Sequence, residues 1–528
     1  MGTINIFRTT AVLLAVVTCS SSVEDKAHWR KIALDDITRK LYHTPNTRVA
    51  KNVVLMIGDG MGISTVTSAR ILKGQLKGKA GEETFLNFEK FPYTGLSKVY
   101  SQDYQVPDSA ATASAMMTGV KTNSRCMGVD GLAMPGECRN LTERRLNGMG
   151  HWANDAGKST GFVTTSRVTH ATPAAMYAVT TNRDWEDDRS VPKNTGSPYC
   201  TDIAWQLIHN NSHMNVIMGG GSANFVPTTA SDPVTLRSGR RLDDTNLIEV
   251  WKNDKIQRNA NYSKAYNAKQ LEDIDPANTQ YLLGLFASSH MAYELDRNKE
   301  PEGEPSLADM TRKAIQVLSN NDNGFFLMVE GARIDHGHHE TKAKKALYDT
   351  LAFEEAVQVV MDTTREEETL IIVTADHSHV LTINGYPHRG NGILDVVRPL
   401  NLTQVQDGLP YTTLSYANGP GAKSPRTNLT GVNTTTDAFQ QPSFIHLSSE
   451  THSGEDVAIY ARGPMAHLLT GVKEQNVIAY VMAYAACVGD IGIGCQDART
   501  AKQTGGSTTN IVDQVLLLSA VVTYIVQL

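Results

Sequence analysis

The sequence predicts an α/β fold: a doubly wound, mostly parallel central sheet with helices on both faces and a loop-rich inserted subdomain. Two observations support this prediction, namely short apolar runs that end in small or polar residues and longer amphipathic stretches between them. The apolar runs, each a predicted strand, are residues 53–58, 160–165, 215–219, 325–330, 370–375 and 457–461. Residues 342–361 have apolar side chains at helical spacing. A sheet of this kind places its site beyond the carboxyl ends of the strands.

The composition is that of a folded globular protein, with 41% hydrophobic and 20% charged residues in a chain of 528. These values exclude disordered, collagenous and polytopic membrane proteins, and the length provides for a sizeable core. The 49 Lys and Arg residues against 55 Asp and Glu residues give a net charge of −6, and no long basic run occurs. We therefore do not expect nucleic acid as a partner.

The N-terminal residues have the order of a secretory signal peptide, which we expect to span residues 1–22. Arg8 precedes the apolar residues 11–17, and the small polar residues 18–22 follow. The apolar part is too short to cross a bilayer, which takes about 20 apolar residues. The alternative is an N-terminal strand or helix of the fold. Residues 23–50 are predicted to form an N-terminal helical arm.

Residues 498–528 have the pattern of a linker and a GPI-anchor signal. Small residues at 505–507 are followed by a short polar spacer and then by an apolar tail without charge, residues 515–528. The pattern does not choose among Gly505, Gly506 and Ser507 as the attachment residue. A buried C-terminal strand and a single membrane span are the alternatives.

Residues 385–449 break the alternation of strands and helices. They are rich in Gly, Pro, Asn and Thr, and little periodicity is visible in them. We interpret them as an inserted, crown-like subdomain on the surface. This insertion divides the predicted catalytic core into residues 51–384 and 450–497.

Glycosylation sites and cysteines agree with a secreted protein. Six Asn-x-Ser/Thr sites occur, at Asn140, Asn210, Asn261, Asn401, Asn428 and Asn433. Six cysteines are present, and Cys19 would be removed with the signal peptide. The odd number that remains predicts two disulfides and one free thiol in an oxidising compartment. The alternative is that all of the thiols are buried and reduced.

Two short motifs hold the first candidate site residues. The first predicted strand runs into Gly58-Asp59-Gly60-Met61-Gly62, where the glycines permit a sharp turn that brings Asp59 to the sheet edge as a hard metal ligand. Further on, Pro107 and Asp108 mark a helix N-terminus with Ser109 in its first turn. Free N–H donors there favour an alkoxide or a bound phosphate, so Ser109 is a candidate nucleophile. A plain turn and a plain N-cap serine are the alternatives.

Two clusters of His and acidic residues indicate a metal centre. They are residues 330–339 and 374–379, each directly after a predicted strand, and His452 is a third contribution. Ionised carboxylates are seldom buried without partners. Mixed His and Asp ligands suit Zn²⁺, whereas a set richer in oxygen suits Mg²⁺.

Taken together, these motifs resemble the alkaline phosphatases, specifically the animal, glycosylated, GPI-anchored type, and the resemblance runs from about residue 30 to about residue 490. The ligands that it implies for one zinc are Asp335, His339 and His452. Those for the second zinc are Asp59, Asp376 and His377, with the Ser109 oxygen. Those for the magnesium are Asp59, Thr172 and Glu330. The resemblance further implies Arg183 as the phosphate-binding arginine, and His170 and His336 as residues near the magnesium.

The same resemblance has three departures. Thr172 stands where serine is usual, and its hydroxyl keeps a magnesium ligand. Ala287 stands where an acidic calcium ligand is usual, which leaves a fourth metal site open. The resemblance implies the disulfides Cys138–Cys200 and Cys487–Cys495, whereas Cys126 has no counterpart and becomes the expected free thiol.

The resemblance implies hydrolysis of phosphate monoesters at alkaline pH through a phosphoserine, with two zinc ions and one magnesium ion. It also implies a homodimer, with the N-terminal helix on the partner and Tyr386 near the neighbouring site. The expected location is the extracellular face of the cell membrane, reached through the secretory pathway. A phosphodiesterase or sulfatase is one alternative, and a catalytically silent, GPI-anchored receptor or adhesion protein is another.

Overall fold

A computed structural model of the chain describes residues 24–192, 199–399 and 405–491. The chain divides into two compact units, Met1–Thr44 and Pro45–Leu528. In the first unit, helix α1 (Lys26–Leu41) begins after Asp25, whose carboxylate accepts a hydrogen bond from the His28 backbone N–H. No residue of α1 is buried. The helix that was expected in the N-terminal arm is thus present.

The second unit alternates strands and helices. Its described strands are β1 (Asn52–Gly58), β2 (Tyr93–Lys98), β3 (Ser159–Arg167), β4 (Val216–Gly220), β5 (Tyr262–Ala265), β6 (Tyr281–Leu285), β7 (Phe325–Gly331), β8 (Thr369–Ala375), β9 (Ser378–His379), β10 (Leu381–Ile383), β11 (Leu414–Gly419), β12 (Ser443–His446), β13 (His452–Ser453), β14 (Val457–Arg462) and β15 (Gly471–Glu474). Its described α-helices are α2 (Ile63–Gln75), α3 (Ser109–Thr118), α4 (Met149–Asp155), α5 (Ala171–Ala174), α6 (Ile203–Asn210), α7 (Leu247–Gln257), α8 (Ala268–Asp273), α9 (Leu307–Leu318), α10 (Arg333–His339), α11 (Ala343–Thr363) and α12 (Val477–Ala486).

Ten of these strands form one sheet, in the order β15-β2-β14-β8-β1-β7-β3-β4-β6-β5. The run from β8 to β5 is parallel throughout, whereas β14 is antiparallel to both of its neighbours. The prediction of a mostly parallel central sheet is therefore confirmed. All six predicted strands are present within one residue of their expected bounds, except that β3 continues two residues further, to Arg167. The predicted helix at residues 342–361 is α11.

The sheet is buried on both faces, as a doubly wound fold requires. In β1, Val53, Leu55 and Ile57 pack into one hydrophobic cluster, whereas Val54 and Met56 pack into another on the opposite face. Successive side chains of a strand point to opposite faces, so a strand covered on both sides consists of apolar residues throughout. This explains why the central strands appear in the sequence as continuous apolar runs.

The edges of the sheet were not predicted. Residues 457–461 were the last predicted strand, but β15 follows β14 and lies at one edge of the sheet. None of the four residues of β15 is buried, and β2 and β5 contain exposed or half-buried residues. A short edge strand that is partly solvated lacks the apolar run that identifies a central strand.

Residues 385–449 contain β11 and β12, which pair with β10 in a separate three-stranded sheet. Tyr386 is 93% exposed. Both features agree with an inserted surface segment, although the boundaries of the subdomain remain a prediction. No helix among the described residues is long and apolar enough to cross a membrane.

The cysteines and glycosylation sites can be described in part. The disulfide Cys138–Cys200 is present and Cys126 is a buried free thiol, so both expectations are confirmed. The second predicted disulfide includes Cys495, which lies outside the described residues, as do the signal peptide, Asn401 and the anchor candidates Gly505, Gly506 and Ser507. The other five glycosylation asparagines are exposed.

Candidate metal centre

The candidate site lies at the carboxyl ends of the parallel strands. Gly58, the last residue of β1, is in register with Gly331 at the end of β7 and with Ala375 at the end of β8. The residues that follow these three strand ends therefore meet at one edge of the sheet. Asp59 and Asp376 follow β1 and β8 directly, which is the placement that sequence analysis predicted.

The turn after β1 requires glycine. Gly60 has a φ of +67°, and a Cβ at this position would lie only 2.3 Å from Nε2 of His379. The Gly60 backbone N–H also donates to Asp376 at 2.9 Å. A side chain at position 60 would therefore displace the neighbours of Asp59.

Ser109 is the first residue of α3, as predicted. The N-cap is Asp108, whose Oδ1 accepts from the Ala111 backbone N–H at 3.2 Å. Every residue of α3 is buried, and Ser109 is 2% exposed. Ala, Ser and Thr occupy eight of its ten positions, and these small side chains let the helix fit between larger elements. The Ser109 hydroxyl is thus held at the positive end of a buried helix.

The predicted ligands of the first zinc converge. Oδ1 of Asp335 lies 3.2 Å from Nε2 of His339 and 3.3 Å from Nε2 of His452, and the two imidazole nitrogens are 3.2 Å apart. Nδ1 of His452 lies 2.8 Å from the Pro107 carbonyl, and Nδ1 of His339 lies 2.5 Å from the Glu450 carbonyl. Because each Nδ1–H donates to a carbonyl, each Nε2 presents its lone pair to the same point, the arrangement that a metal ion requires.

The predicted ligands of the second zinc also converge, and they include the nucleophile candidate. Nε2 of His377 lies 3.2 Å from Oδ2 of Asp376, 3.4 Å from Oδ1 of Asp59 and 3.2 Å from the Ser109 hydroxyl oxygen. All four residues are buried. The rings of His377 and His452 stack with centroids 3.5 Å apart, so the first and second sets are neighbours.

The third predicted set consists of oxygen donors. Asp59 and Glu330 each offer a carboxylate oxygen within 4.8 Å of the other. Both Asp59 oxygens, Oε1 of Glu330 and Oγ1 of Thr172 are buried without a hydrogen-bond partner in the described part of the chain. Buried polar atoms are rarely left unpaired, so these four oxygens fit a hard cation. Thr172 replaces the usual serine without loss of the hydroxyl.

Burial and mutual repulsion perturb the acids of this centre. Burial, and next the charge of Asp376, raise the pKa of Asp59 well above its usual range. Burial raises the pKa of Glu330 to about 7. Burial opposes the ionisation of Asp335, but His339 beside it lowers the pKa of Asp335 well below its usual range. Burial, and next the charge of His452, lower the pKa of His377, which keeps that imidazole neutral and its lone pair available.

Arg183 is joined to the same site through Asp108. Its Nη1 donates to Oδ2 of Asp108 at 3.0 Å, and its Nη2 lies 3.3 Å from Nε2 of His170. Asp108 therefore connects the guanidinium to the helix N-terminus that carries Ser109. His336 lies beside His170, with the two ring centroids 5.7 Å apart. The structure thus brings the predicted catalytic, metal and neighbouring residues together at one end of the sheet.

No individual role was predicted for two residues of the site, although His379 lies within the predicted cluster 374–379. His379 is fully buried, with Nε2 2.8 Å from Oδ1 of Asp335 and Nδ1 2.6 Å from Oε2 of Glu450. Glu450 also holds His339 through its carbonyl. The only signal in the sequence was position, since His379 lies two residues after His377 and Glu450 two residues before His452. Their partners lie on other elements, which local pattern does not reveal.

The position of the open calcium site offers no acidic side chain. Ala287 is 8% exposed, and its carbonyl accepts from the backbone N–H groups of Gly221 and Ser222 at 2.8 and 3.0 Å. The carbonyl oxygen of Ala287 is therefore already engaged in two backbone hydrogen bonds. A carboxylate ligand is therefore missing where the resemblance would require one.

The chain is similar to alkaline phosphatases along most of its length. The family model described as alkaline phosphatase matches residues 50–488. The tissue-nonspecific isozyme of alkaline phosphatase from Homo sapiens is 46% identical over 493 residues, which cover 90% of this chain and 93% of that protein. The isozyme from Felis catus is 45% identical over 504 residues, covering 93% of this chain and 95% of that protein.

Solved structures share the fold. The alkaline phosphatase from the Antarctic bacterium TAB5 gives a TM-score of 0.58 at 23% identity and covers 84% of this chain and 100% of its own. The alkaline phosphatase of Thermus thermophilus gives a TM-score of 0.61 at 22% identity, with coverage of 87% and 96%. At these identities the likeness concerns the fold alone.

Proposed function

The chain belongs to the alkaline phosphatase family and is a phosphomonoester hydrolase, and from this premise we propose that its metal centre holds two zinc ions and one magnesium ion. The donor sets support these identities. Two sets combine carboxylate with imidazole, which suits Zn²⁺, and the third contains only oxygen donors, which suits Mg²⁺. When bound, the metals act as Lewis acids that lower the pKa of a hydroxyl and stabilise negative charge on oxygen.

We assign the three converging sets of side chains as the ligands of these three ions. The first zinc would be held by Asp335, His339 and His452. The second would be held by Asp59, Asp376, His377 and the Ser109 oxygen. The magnesium would be held by Asp59, Thr172 and Glu330. Asp59 belongs to two sets, which agrees with both of its oxygens being buried and unpartnered.

Ser109 is the proposed nucleophile. The imidazole of His377 lies 3.2 Å from its hydroxyl, but we assign Nε2 of His377 to the second zinc, so this ring would not serve as the general base. Helix α3 supplies the rest of the environment, since its first N–H groups and its dipole favour an oxyanion at position 109. The burial of α3 holds the hydroxyl in one place, so little reorganisation is needed during attack.

Arg183 is proposed to bind two non-bridging oxygens of the phosphate. Its planar guanidinium matches two oxygens at once, which the point charge of a lysine does not. Asp108 orients it by a 3.0 Å hydrogen bond and is itself fixed as the N-cap of α3. The binding group and the nucleophile are therefore positioned by the same residue.

The reaction follows as a double displacement. The Ser109 hydroxyl gives its proton to solvent and its oxygen forms a bond to phosphorus while the bond to the ester oxygen breaks. The leaving alkoxide takes a proton from solvent and becomes the alcohol. Water then attacks the phosphoserine from the side that the alcohol vacated and loses a proton to solvent. The Ser109–phosphorus bond breaks, the Ser109 oxygen takes up a proton, and inorganic phosphate is released. Arg183 remains on the non-bridging oxygens in both steps, so its contribution is to orientation and charge.

The main support for the proposal is the 3.2 Å contact between the Ser109 hydroxyl and Nε2 of His377. His377 lies among the buried carboxylates of Asp59, Asp335 and Asp376. The test is to quench the enzyme with acid during turnover of a labelled phosphate monoester and to map the labelled peptide. Label on Ser109 is expected. Label on neighbouring Thr112, whose hydroxyl lies 3.4 Å from Asp376, or on no residue of the chain, would contradict the assignment.

A location at the extracellular face of the membrane is also proposed. The apolar stretches at both ends have the order of a signal peptide and of a GPI signal, and five glycosylation asparagines are exposed. The exposed apolar side chains of α1 and the exposed Tyr386 support a homodimer. Release of activity from intact cells by a GPI-specific phospholipase tests the anchor, and sedimentation of the released enzyme tests the dimer.

A further inference from the structure

Two short strands beside the metal centre form a sheet of their own. β9 and β13 are antiparallel, with His452 opposite His379 and Ser453 opposite Ser378. β9 directly follows His377, a proposed ligand of the second zinc, and β13 begins with His452, a proposed ligand of the first. This small sheet therefore connects the two zinc sets through the backbone.

One carboxylate joins the two serines of this sheet. Oε1 of Glu455 accepts a hydrogen bond from the Ser378 hydroxyl at 2.5 Å, and Oε2 accepts one from the Ser453 hydroxyl. Glu455 is exposed, whereas Ser378 is 1% exposed. No lysine or arginine of the described ranges forms a salt bridge with Glu455. The two serine hydroxyls are thus the side chains that this carboxylate binds.

The side-chain bridge matters because the sheet itself is so short. Each strand has only two residues, and an isolated pair of strands is at best marginally stable in water. Hydrogen bonds to a carboxylate are shorter and stronger than those between neutral groups. The two bonds to Glu455 therefore fix the pairing of Ser378 with Ser453 where the backbone ladder alone would hold it weakly.

The chain is also held on the other side of His452. Oδ1 of Asn418, in β11, accepts from the Thr451 backbone N–H at 3.0 Å, and its side-chain amide donates to the Thr451 hydroxyl at 2.9 Å. Asn418 thus holds the residue before His452, and Glu455 holds Ser453, the residue after it. The imidazole of His452 therefore reaches the first zinc set from a backbone that is fixed on both sides.

We propose that Glu455 is a positioning residue for both zinc sets. Its carboxylate holds β13 against β9 and so keeps His452 and His377, whose rings stack with centroids 3.5 Å apart, in register with each other. Glu455 is not a proposed ligand, and it acts through the serine that follows each histidine. The inference rests on the proposed function, because it concerns the zinc ligands assigned there.

The test measures the zinc affinity of the zinc- and magnesium-loaded enzyme by competition with a chelating dye. Glu455→Ala breaks both bonds, and we expect it to bind zinc about tenfold more weakly, as residues that support metal ligands do when they are replaced. Glu455→Gln keeps an acceptor for one serine and offers a donor to the other, so its affinity should stay close to that of the wild type. The matched control is Glu367→Ala, an exposed glutamate just before the amino end of β8, which should leave the affinity unchanged.

A double variant tests the route through the serines. Ser453→Ala removes one of the two bonds and should weaken zinc binding less than Glu455→Ala does. Ser453→Ala combined with Glu455→Ala should bind zinc as Glu455→Ala alone does, because the bond between the two residues is lost only once. Losses that add in the double variant would mean that Glu455 does not act through Ser453.

Three further outcomes would overturn the inference. An unchanged zinc affinity in Glu455→Ala would mean that the carboxylate positions no ligand. Equally weak binding in Glu455→Ala and Glu455→Gln would mean that the charge matters and the two hydrogen bonds do not. A zinc-free Glu455→Ala enzyme that melts well below the zinc-free wild type would mean that Glu455 supports the fold in general. A purified wild-type enzyme without zinc would instead refute the proposed metal centre itself.

Discussion

The Ser109 hydroxyl lies 3.2 Å from Nε2 of His377, although 268 positions separate the two residues. One residue begins the buried helix α3, and the other follows the strand β8. The contact exists because the parallel strands end at the same edge of the sheet, where the N-terminus of α3 also lies. A hydroxyl at a helix N-terminus thereby meets a set of zinc-type ligands.

Replacement of Ser109 by Ala is expected to abolish turnover of phosphate monoesters while zinc and magnesium contents stay normal. The nucleophile is removed, but six protein ligands of the two zinc sets remain. The measurement is phosphate release together with metal analysis of the same sample. Ser448→Ala, an exposed serine far from α3 in sequence, is the control. A Ser109→Ala enzyme that kept most of its activity would show that another group attacks phosphorus.

Removal of metal is expected to abolish activity reversibly. The carboxylates of Asp59, Asp376 and Glu330 are buried beside one another, so the site depends on cations for charge balance. After dialysis against a chelator, Zn²⁺ plus Mg²⁺ should restore phosphate release, and Mg²⁺ alone should not. Full recovery with Mg²⁺ in zinc-free protein would refute the assignment of two zinc ions.

Arg183→Lys is expected to lower kcat/KM for monoesters by about ten- to a hundredfold, because a lysine replaces two oriented hydrogen bonds with one point charge. Steady-state kinetics with 4-nitrophenyl phosphate give the value. Arg189→Lys, an exposed residue of the same loop, serves as the control and should leave kcat/KM unchanged. Equal kinetics of the two variants would mean that Arg183 does not hold the phosphate.

The buried carboxyl of Asp349, which is not a proposed metal ligand, should make the stability of the protein depend on pH. Burial raises its pKa from 3.8 to about 8, while the backbone N–H of Glu294 donates to its carboxyl at 3.2 Å. Between these two pKa values the folded chain holds a proton that the unfolded chain has lost. Rising pH therefore lowers the free energy of unfolding across this range, by at most about 1.4 kcal/mol per pH unit. Above the pKa of the folded state, this loss of stability no longer changes with pH.

Asp349→Asn keeps the acceptor for Glu294 and removes the titration. Its Tm should exceed that of the wild type at pH 8, and the difference should shrink at pH 6. Asp362→Asn, an exposed acid of the same helix, should give a Tm difference that does not vary with pH. Parallel thermal melts at the two pH values supply the data, and a Tm difference for Asp349→Asn that is the same at both would contradict the burial argument.

Much of this protein could be predicted from sequence because its central strands are buried on both faces. Residues such as Val53 to Ile57 are apolar without interruption, and the polar residues after them mark the strand ends where Asp59 and Asp376 lie. Ser109 could be located because Pro107 and Asp108 mark a helix start. In these cases the local sequence pattern that marks the end of a strand or the start of a helix also marks the place of the residue in the site.

The remaining parts depend on contacts between distant elements. His379 and Glu450 act on Asp335 and His339 through pairs that no local spacing encodes. His290 joins His170 and His336 only after β3, β6 and β7 are aligned in the sheet. The edge strand β15 has no apolar run, because a solvated edge does not need one.

The most direct test of the metal centre is anomalous diffraction at the zinc absorption edge from a crystal of the purified enzyme. Two zinc peaks in one cavity are expected, one among Asp335, His339 and His452 and the other beside the Ser109 oxygen. No zinc peak, or a peak only among His170, His290 and His336, would contradict the proposed centre.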